Sequence, residues 1–384
     1  MTSRVPGALT FLVVLPLVAP SGAVAQSPWT DPSPHETRFV EVDEGVRLEV
    51  LDWGGEGPPL VLLAGLGNTA HVFDELAVEL TRLGHVYGMT RRGFGESSRP
   101  ESGVEVERLG EDVVAVLDAL ALDAPVLVGH SIAGQEVSYI ASRYPDRIAG
   151  AVYLDAAYRY AYYTPSPQES LQDLRERLER LEPVLNGPPQ SPAVLSAAIE
   201  EILGDALTEF QQDVEGLMTA PGSLPGAPEP LPSDLESFAA YRAWSLRTLG
   251  YALPEAELRQ IRSVDPGERV GAALRRPEVR QAVLAGSQRF TTIEVPALAI
   301  YASPHALGPW TRDAPEHQSA FEAFARFDQG TTARQANAFR RGVPRSRVVL
   351  LPDAHHFLFL THQAEVVWEI GAFVATLSDD AARP

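Results

Sequence analysis

Two continuous apolar runs, residues 59–64 (PLVLLA) and 125–129 (PVLVG), have the length of a strand and lack the alternation of a half-exposed one. Such runs are typical of strands that are buried on both faces of a parallel sheet. A segment with helical spacing follows each run, and strand-like and helix-like segments continue to alternate up to about residue 158. The pattern predicts an α/β fold, with a mostly parallel sheet and helices on both of its faces.

The strand signal stops near residue 158 and resumes at residue 295. The intervening segments are helix-like, over residues 168–185, 192–217, 235–249 and 255–261. They surround a loop, residues 220–233, whose five prolines exclude a continuous helix or a central strand. We therefore expect a core formed by residues 36–158 and 291–384, and a helical cap inserted between them over residues 159–290.

The first 25 residues have the features of an export signal. Arg4 supplies a positive charge, residues 8–18 are apolar, and the small residues 23–25 (AVA) fit a cleavage site. The apolar stretch is shorter than the roughly 20 residues that span a bilayer, so no stable membrane anchor is expected. Residues 1–25 are therefore predicted to be a signal peptide, and the mature protein is expected to be periplasmic or secreted by a bacterium.

Composition excludes several kinds of chemistry. The 51 acidic residues outnumber the 31 basic ones, giving a net charge of −20, and such a chain is not expected to bind nucleic acid. All the basic residues are arginine, so lysine Schiff-base chemistry is absent, and the lack of cysteine removes thiolate nucleophiles and zinc–thiolate sites. His305, His317 and His362 do not have a metal-binding spacing and are expected to be packing or surface residues. We predict no metal and no cofactor.

A serine, Ser131, lies where a predicted buried strand turns into a helix, in residues 129–134 (GHSIAG). This is the context of a nucleophile elbow, whose sharp turn lifts the serine hydroxyl above the sheet. A serine hydroxyl is a weak nucleophile at neutral pH, so it needs a neighbouring base and backbone N–H donors. The fifth position of the G-x-S-x-G pattern is Ala133, and the glycine comes one residue later. Ser131 is the predicted nucleophile.

With these residues the chain resembles the α/β-hydrolase fold family, over about residues 38–158 and 291–378. Residues 62–67 (LLAGLG) resemble the end of the family's oxyanion strand, and residues 91–97 (RRGFGES) resemble its D-x-R-G-x-G-x-S loop, without the usual aspartate. That second loop is structural in the family.

The resemblance implies particular site residues. It implies that the backbone N–H groups of Leu66 and Ile132 donate hydrogen bonds to the oxyanion of the reaction intermediate. Serine at the elbow disfavours dehalogenase and epoxide hydrolase chemistry, for which related families use aspartate.

Two adjacent histidines compete for the role of the base. His355 and His356 follow a predicted strand and precede the last helix, as the base does in the family. His356 directly precedes Phe357, as the family's histidine precedes an aromatic residue, so His356 is the predicted base.

The third residue of the family's catalytic triad is an acid, and this sequence has no carboxylate at the family's usual position for it. After residues 297–301 no carboxylate occurs until Asp313, which is far along the loop. A minority of the family instead carries the acid at the end of the preceding strand, where this chain has Asp155. We predict that Asp155 orients His356, and Asp313 or Glu316 is the alternative.

Four tyrosines, Tyr158, Tyr160, Tyr162 and Tyr163, cluster where the core joins the cap. Tyr158 and Tyr162 are candidate substrate-binding residues in an apolar pocket, and packing of the cap is the alternative. The predicted function is hydrolysis of an acyl bond of a small molecule, with a carboxylic ester as the expected substrate. Peptidase, lactonase, thioesterase, perhydrolase and carbon–carbon hydrolase activities remain open, as does a ligand-binding protein without turnover.

Overall fold

The structure is a computed structural model that describes residues 29–164, 167–188, 190–204, 206–219, 224–274 and 276–381. The predicted signal peptide, residues 1–25, lies outside the described residues. The chain divides into an N-terminal unit that ends at Pro32 and a body that begins at Ser33. The described part of the N-terminal unit, residues 29–32, contains no helix or strand.

The described body contains strands β1 (Glu36–Asp43), β2 (Val46–Gly54), β3 (Pro59–Leu63), β4 (His85–Met89), β5 (Val126–His130), β6 (Gly150–Leu154), β7 (Arg262–Val264), β8 (Val270–Ala273), β9 (Ala297–Ala302) and β10 (Ser346–Leu351). Eight of them form one sheet in the order β1-β2-β4-β3-β5-β6-β9-β10. Strand β2 is antiparallel to both of its neighbours, and the other pairs are parallel. The carboxyl ends of β5, β6 and β9 therefore lie side by side.

The described helices are α1 (Asp74–Leu80), α2 (Val106–Ala119), α3 (Gly134–Arg143), α4 (Pro167–Leu185), α5 (Pro192–Leu203), α6 (Ala206–Thr219), α7 (Phe238–Leu249), α8 (Glu255–Ile261), α9 (Pro277–Ala285), α10 (Gln318–Gly342), α11 (Leu358–Thr361) and α12 (Gln363–Ala381). Among the described residues, none of these helices has both the length and the apolar character needed to span a bilayer.

Apolar side chains project from both faces of the sheet. On β5, Leu127 packs into one layer with α2, α3 and α10, while Val126 and Val128 pack into the other layer with α1 and α12. Side chains alternate between the faces of a strand, so a strand buried on both sides has to be apolar throughout. This arrangement confirms the predicted mostly parallel sheet with helices on both faces.

The insertion between β6 and β9 is mainly helical, as expected, and contains α4 to α9. It also contains a short antiparallel hairpin, β7–β8, which the sequence did not reveal. The predicted helical segment 192–217 is two helices, α5 and α6, because the chain turns at Gly204 with a φ of +43°. A further helix that was not predicted, α10, lies between β9 and β10.

Candidate active site

Ser131 stands at a sharp turn between β5 and α3. Its φ is +54°, in the left-handed region that a non-glycine residue rarely adopts. The turn is possible because its flanks are small: a Cβ on Gly134 would lie 2.2 Å from the Ala156 carbonyl oxygen, and one on Gly129 would lie 2.7 Å from Val137. Ala133, at the fifth position of the motif, is fully buried.

Asp155 follows β6 and is fully buried, with a φ of +47°. Its Oδ2 lies 2.6 Å from Nδ1 of His356. Its Oδ1 accepts hydrogen bonds from the Tyr158 hydroxyl at 2.9 Å and from the Ala302 N–H at 3.1 Å. Burial would raise the pKa of the Asp155 carboxyl, but hydrogen bonds from His305 and His356 hold it well below its usual range. The structure thus brings the predicted acid, as an ionised carboxylate, into hydrogen-bonding contact with the predicted base.

His305 is a second histidine on the same carboxylate. Its Nε2 lies 2.6 Å from Asp155 Oδ2, and its Nδ1 lies 2.9 Å from both oxygens of Asp328 on α10. Ionised carboxylates only accept hydrogen bonds, so both ring nitrogens donate and the ring is an imidazolium. Burial would lower the pKa of His305, but Asp155 and Asp328 raise it to about 10. The sequence predicted a packing or surface role for His305, whereas the structure places it against the acid.

The other candidates for base and acid lie elsewhere. His355 packs its ring against Tyr251, with centroids 4.2 Å apart, and burial, together with the nearby His356 and His305, lowers its pKa to about 4. Asp313 and Glu316 lie in two short 3-10 turns, Pro309–Asp313 and Pro315–His317. Within the described part of the chain, the carboxylate that pairs with His356 is that of Asp155.

The loop after β3 approaches the nucleophile. A Cβ on Gly65 would lie 2.9 Å from Nδ1 of His130 and 3.1 Å from Cβ of Ser131, so glycine allows a close approach that a side chain would crowd. Leu66, the predicted oxyanion donor, comes directly after it. The side chain of Leu66 packs in the same apolar cluster as Ile132, the residue that follows Ser131. The two predicted oxyanion residues therefore flank Ser131 from two separate segments.

Arg91 fixes this loop in place. Its Nη2 donates to the Ala64 carbonyl oxygen at 3.0 Å, and its Nη1 reaches that of Gly65 at 3.4 Å. Its Nε donates to Glu136 of α3 at 2.6 Å. Arg91 is buried, so these contacts satisfy a cation that would be costly to bury alone. Arg91 thus ties the loop after β3 to α3, the helix that follows Ser131.

A carboxylate from the insertion holds the same loop from the other side. Glu257 of α8 is fully buried and accepts hydrogen bonds from the Asn68 side chain at 2.8 Å and from the Thr69 N–H at 3.2 Å. The Thr69 hydroxyl also donates to it. Burial raises the pKa of Glu257 to about 7. The position of the loop therefore depends on the insertion.

The tyrosines at the junction of the core and the insertion have different neighbours in the structure. The hydroxyl of Tyr158, a predicted substrate-binding residue, is bonded to Asp155, and the ring of Tyr162 packs on Phe339 of α10 with centroids 5.5 Å apart. Tyr160 is the tyrosine whose ionisation responds to Ser131, and its ring packs against the apolar cluster that contains Ile132, so it lies near the predicted nucleophile. Burial raises the pKa of Tyr160 well above its usual value, so the hydroxyl keeps its proton at neutral pH. Sequence spacing could not separate these neighbours.

His130, the residue before the nucleophile, supports the base. It is buried, and its Nε2 lies 3.0 Å from the carbonyl oxygen of His356. Burial and the nearby His356 lower its pKa to about 3, so the ring is neutral and Nε2 donates to that carbonyl. The end of β5 thereby positions both the predicted nucleophile and the backbone of the predicted base.

Asp155, His305 and His356 also bring their ligand atoms within 4.8 Å of one another, a spacing that could hold a metal ion. Hydrogen bonds of 2.6 Å already join Asp155 to both rings. This arrangement is therefore suited to orienting an imidazole and stabilising its protonated form.

Residues 58–363 match the family described as alpha/beta hydrolase fold. The chain belongs to this family. Among curated relatives of this α/β hydrolase, a bifunctional esterase/perhydrolase of Acinetobacter calcoaceticus is 31% identical over 148 residues, 36% of this chain and 54% of the relative. A putative non-heme haloperoxidase of Mycobacterium phage D29 is 36% identical over 124 residues, 32% of this chain and 44% of the relative. The chain thus matches about half the length of these relatives.

Among solved structures, E-2-(acetamidomethylene)succinate hydrolase superposes on this α/β hydrolase with a TM-score of 0.52. The sequences are 17% identical, and the match covers 89% of this chain and 99% of the other. At this identity the likeness concerns the fold, which agrees with the strand order described above.

Proposed function

We propose that this α/β hydrolase is a serine hydrolase that cleaves carboxylic esters of small molecules through an acyl-enzyme. The observation that carries the proposal is the 2.6 Å contact between Asp155 Oδ2 and His356 Nδ1, on the sheet edge where Ser131 stands in a strained turn. Strained backbone of this kind persists where the surrounding structure holds a reactive group in place.

In the proposed reaction, Ser131 Oγ attacks the ester carbonyl while Nε2 of His356 takes the serine proton. The N–H groups of Leu66 and Ile132 donate to the oxyanion of the tetrahedral intermediate. Asp155 keeps the His356 ring oriented and stabilises the imidazolium, which then gives its proton to the leaving alcohol. A water molecule, deprotonated by His356, attacks the acyl-enzyme and releases the acid and the free serine.

The surroundings of Ser131 favour an apolar acyl group. Leu66 and Ile132 pack with Val279 and Val283 of α9, a helix of the insertion. Apolar side chains from the core and from the insertion thus meet beside the nucleophile, as is usual in pockets for apolar ligands.

Covalent labelling of Ser131 tests the proposal. We expect a fluorophosphonate to modify the peptide that contains Ser131, and Ser131→Ala to abolish both the labelling and the hydrolysis of chromogenic esters. A panel of esters and aminoacyl amides graded by acyl length separates esterase from peptidase activity. Undiminished labelling of Ser131→Ala would show that the nucleophile is another residue. A stoichiometric burst without steady turnover would favour a ligand-binding protein.

Perhydrolysis is a second candidate, favoured by the match to the esterase/perhydrolase of Acinetobacter calcoaceticus. Hydrogen peroxide would replace water as the acceptor of the acyl group, giving a peracid and the free Ser131. Peracid formation that is lost in Ser131→Ala would establish this activity. Ester hydrolysis without any peracid in the presence of peroxide would reject it.

We also propose that the protein is exported and that residues 1–25 are removed, since their charge and apolar run fit a signal peptide. The net charge of −20 supports a partner that is a small molecule and not a nucleic acid. Mass spectrometry of the protein recovered outside the cytoplasm should give an N-terminus near Gln26. An intact N-terminus on a protein confined to the cytoplasm would contradict export.

A further inference from the structure

Three leucines form a row along the outer side of α4, the first helix of the insertion. Leu171, Leu178 and Leu185 follow one another at intervals of seven residues and are 45%, 49% and 54% exposed. An α-helix has about 3.6 residues per turn, so residues seven apart lie on the same side of it. Single exposed leucines are common on protein surfaces, but an aligned row of them is typical of a surface that meets a partner. We call these three residues the leucine row.

The inner side of α4 is held within the insertion. Leu174 and Leu181 are buried there, and α4 packs against α5 and α6. The Ser170 hydroxyl donates to Asp213 of α6 at 2.7 Å, and Asp213 also lies 3.0 Å from Nε of Arg334 on α10. These contacts fix the rotation of α4 about its axis, so the leucine row stays at the surface beside the packed side.

A shallow groove of about 350 Å³ runs along the second half of α4. Leu178, Leu181 and Leu185 line it, together with the charged residues Arg175 and Glu182. Arg175 and Glu182 are both exposed and are themselves seven residues apart, so they border the leucine row on the same side. The groove therefore offers an apolar surface with one positive and one negative charge along its edge.

The order of these residues makes the surface complementary to itself. Leu171 and Leu185 are equally far along the chain from Leu178, so an antiparallel second copy of α4 centred on Leu178 places Leu171 of each copy against Leu185 of the other. Arg175, three residues before the centre, then comes next to Glu182 of the second copy, four residues after it. The two-fold axis repeats this contact, so opposite charges meet twice. A parallel pairing would instead place Arg175 against Arg175 and Glu182 against Glu182.

We propose that the leucine row is a homodimer interface, through which two copies of this chain associate by antiparallel pairing of α4 about a two-fold axis at Leu178. Association removes the leucine side chains of both copies from water, which supplies the main driving force. The two Arg175–Glu182 contacts set the antiparallel direction. An anionic lipid surface fits the row less well, because Glu179 and Glu182 are exposed beside it and helices that bind such lipids carry basic residues there.

Sedimentation velocity of the full chain between about 1 and about 100 µM tests the interface. We expect a monomer–dimer equilibrium within this range. Leu178→Asp should raise the Kd of the dimer at least about a hundredfold, because it removes a buried leucine and adds a carboxylate at the centre of the contact in both copies. Leu231→Asp is the matched control, since Leu231 is 64% exposed in the proline-rich loop, and it should dimerise as the wild type does. A wild-type chain that stays monomeric throughout would overturn the proposal.

Charge reversal tests the direction of the pairing. Arg175→Glu should weaken the dimer about tenfold or more, because Glu182 of the second copy would then face a like charge. Combining Arg175→Glu with Glu182→Arg in one chain should restore wild-type association, since the two opposite charges still meet. A double variant that remains as weak as the single one would show that these residues do not meet, and would refute the antiparallel arrangement.

Cross-linking locates the axis. The chain has no cysteine, so an introduced cysteine is its only thiol. With oxidised glutathione as the oxidant, Leu178→Cys should form a disulfide-linked dimer, because residue 178 faces its own copy across the axis. Arg180→Cys, exposed on the opposite side of α4, is the control and should stay uncross-linked. Equal cross-linking of the two variants would indicate random collision and overturn the proposal.

A lipid surface is the competing occupant of the leucine row. Flotation of the full chain with vesicles of phosphatidylethanolamine and phosphatidylglycerol tests it, and we expect no binding. A monomeric chain that floats with the vesicles, and loses this in Leu178→Asp but not in Leu231→Asp, would assign the row to the membrane and refute the dimer.

Discussion

Replacement of His305 by glutamine removes a cation from the acid of the proposed triad while keeping a side chain that can donate to Asp155. The imidazolium of His305 and the ring of His356 both bond to Oδ2 of Asp155, and their centroids are 6.1 Å apart. A cation on His305 therefore opposes a second cation on His356. Without it, the protonated form of His356 should become easier to reach.

The size of the effect follows from the distance. Two unit charges 6.1 Å apart repel each other by about 2.7 kcal/mol at an effective dielectric constant of about 20, which corresponds to roughly 2 pH units. The His356 side chain is 38% exposed, so solvent screens part of this repulsion. We expect the acid limb of kcat/KM to move upward by about 1 pH unit in His305→Gln, with kcat on the plateau within about tenfold of the wild type.

The assay is ester hydrolysis measured from about pH 5 to about pH 9. Asp328→Asn should move the acid limb in the same direction by a smaller amount, because it removes one of the two carboxylates that keep His305 protonated. His317→Gln, on an exposed turn, is the control and should not move it. If His305 only packs against its neighbours, His305→Gln would lower kcat without moving the acid limb, and that result would refute the reasoning.

Three further predictions concern single residues. Asp155→Asn should lower kcat by a factor on the order of 10⁴, since it removes the group that orients the base. Asp313→Asn should keep a kcat near that of the wild type. The reverse result would place the acid after β9. Tyr160→Phe should lower kcat/KM about tenfold by removing a polar hydroxyl beside the proposed nucleophile, and an equal loss in Tyr162→Phe would contradict a specific role. The Glu257 carboxyl has a pKa of about 7 in the folded chain and 4.5 as a reference, so between these values the folded state holds a proton that the unfolded state has lost. Wild-type stability should therefore fall by an amount on the order of 3 kcal/mol as the pH rises through this range. Glu257→Gln removes this titrating group, and we expect it to flatten the pH dependence of stability. Denaturant unfolding of the wild type and of Glu257→Gln near pH 5 and pH 8 measures the difference in stability. An equal change in stability between the two pH values in both proteins would refute the role of Glu257.

Patterns within short segments of the sequence were sufficient to predict the sheet and the turn at Ser131. Buried strands must be apolar on both faces, so β3 and β5 are recognisable in the sequence. The elbow is recognisable because a serine between a buried strand and a helix is typical of an exposed nucleophile in this kind of sheet. The assignment of Asp155 came from the resemblance to the family, a minority of which carries the acid at this strand end, together with a carboxylate at the end of an apolar strand; in the structure Asp155 contacts His356.

Features that depend on distant residues could not be recognised in the sequence. His305 bonds to Asp155 on one side and to Asp328 of α10 on the other, and the centre of α10, Gly330 to Thr332, has low helix propensity. The hairpin β7–β8 has strands of three and four residues, too short to establish a period of two. Each of these features is a product of tertiary contacts.

The nucleophile and the acid of the proposed triad, Ser131 and Asp155, precede the insertion in the chain, whereas His356 follows it. A cut in the exposed part of the proline-rich loop, near Glu229, would therefore divide the proposed triad between two fragments. Neither fragment alone could turn over an ester. Reassembly would require β9 to pair again with β6 along Ala151 to Leu154, so recovered activity would report the meeting of the two halves. If the proposed function holds, the two fragments would form a split enzyme whose signal depends on complementation.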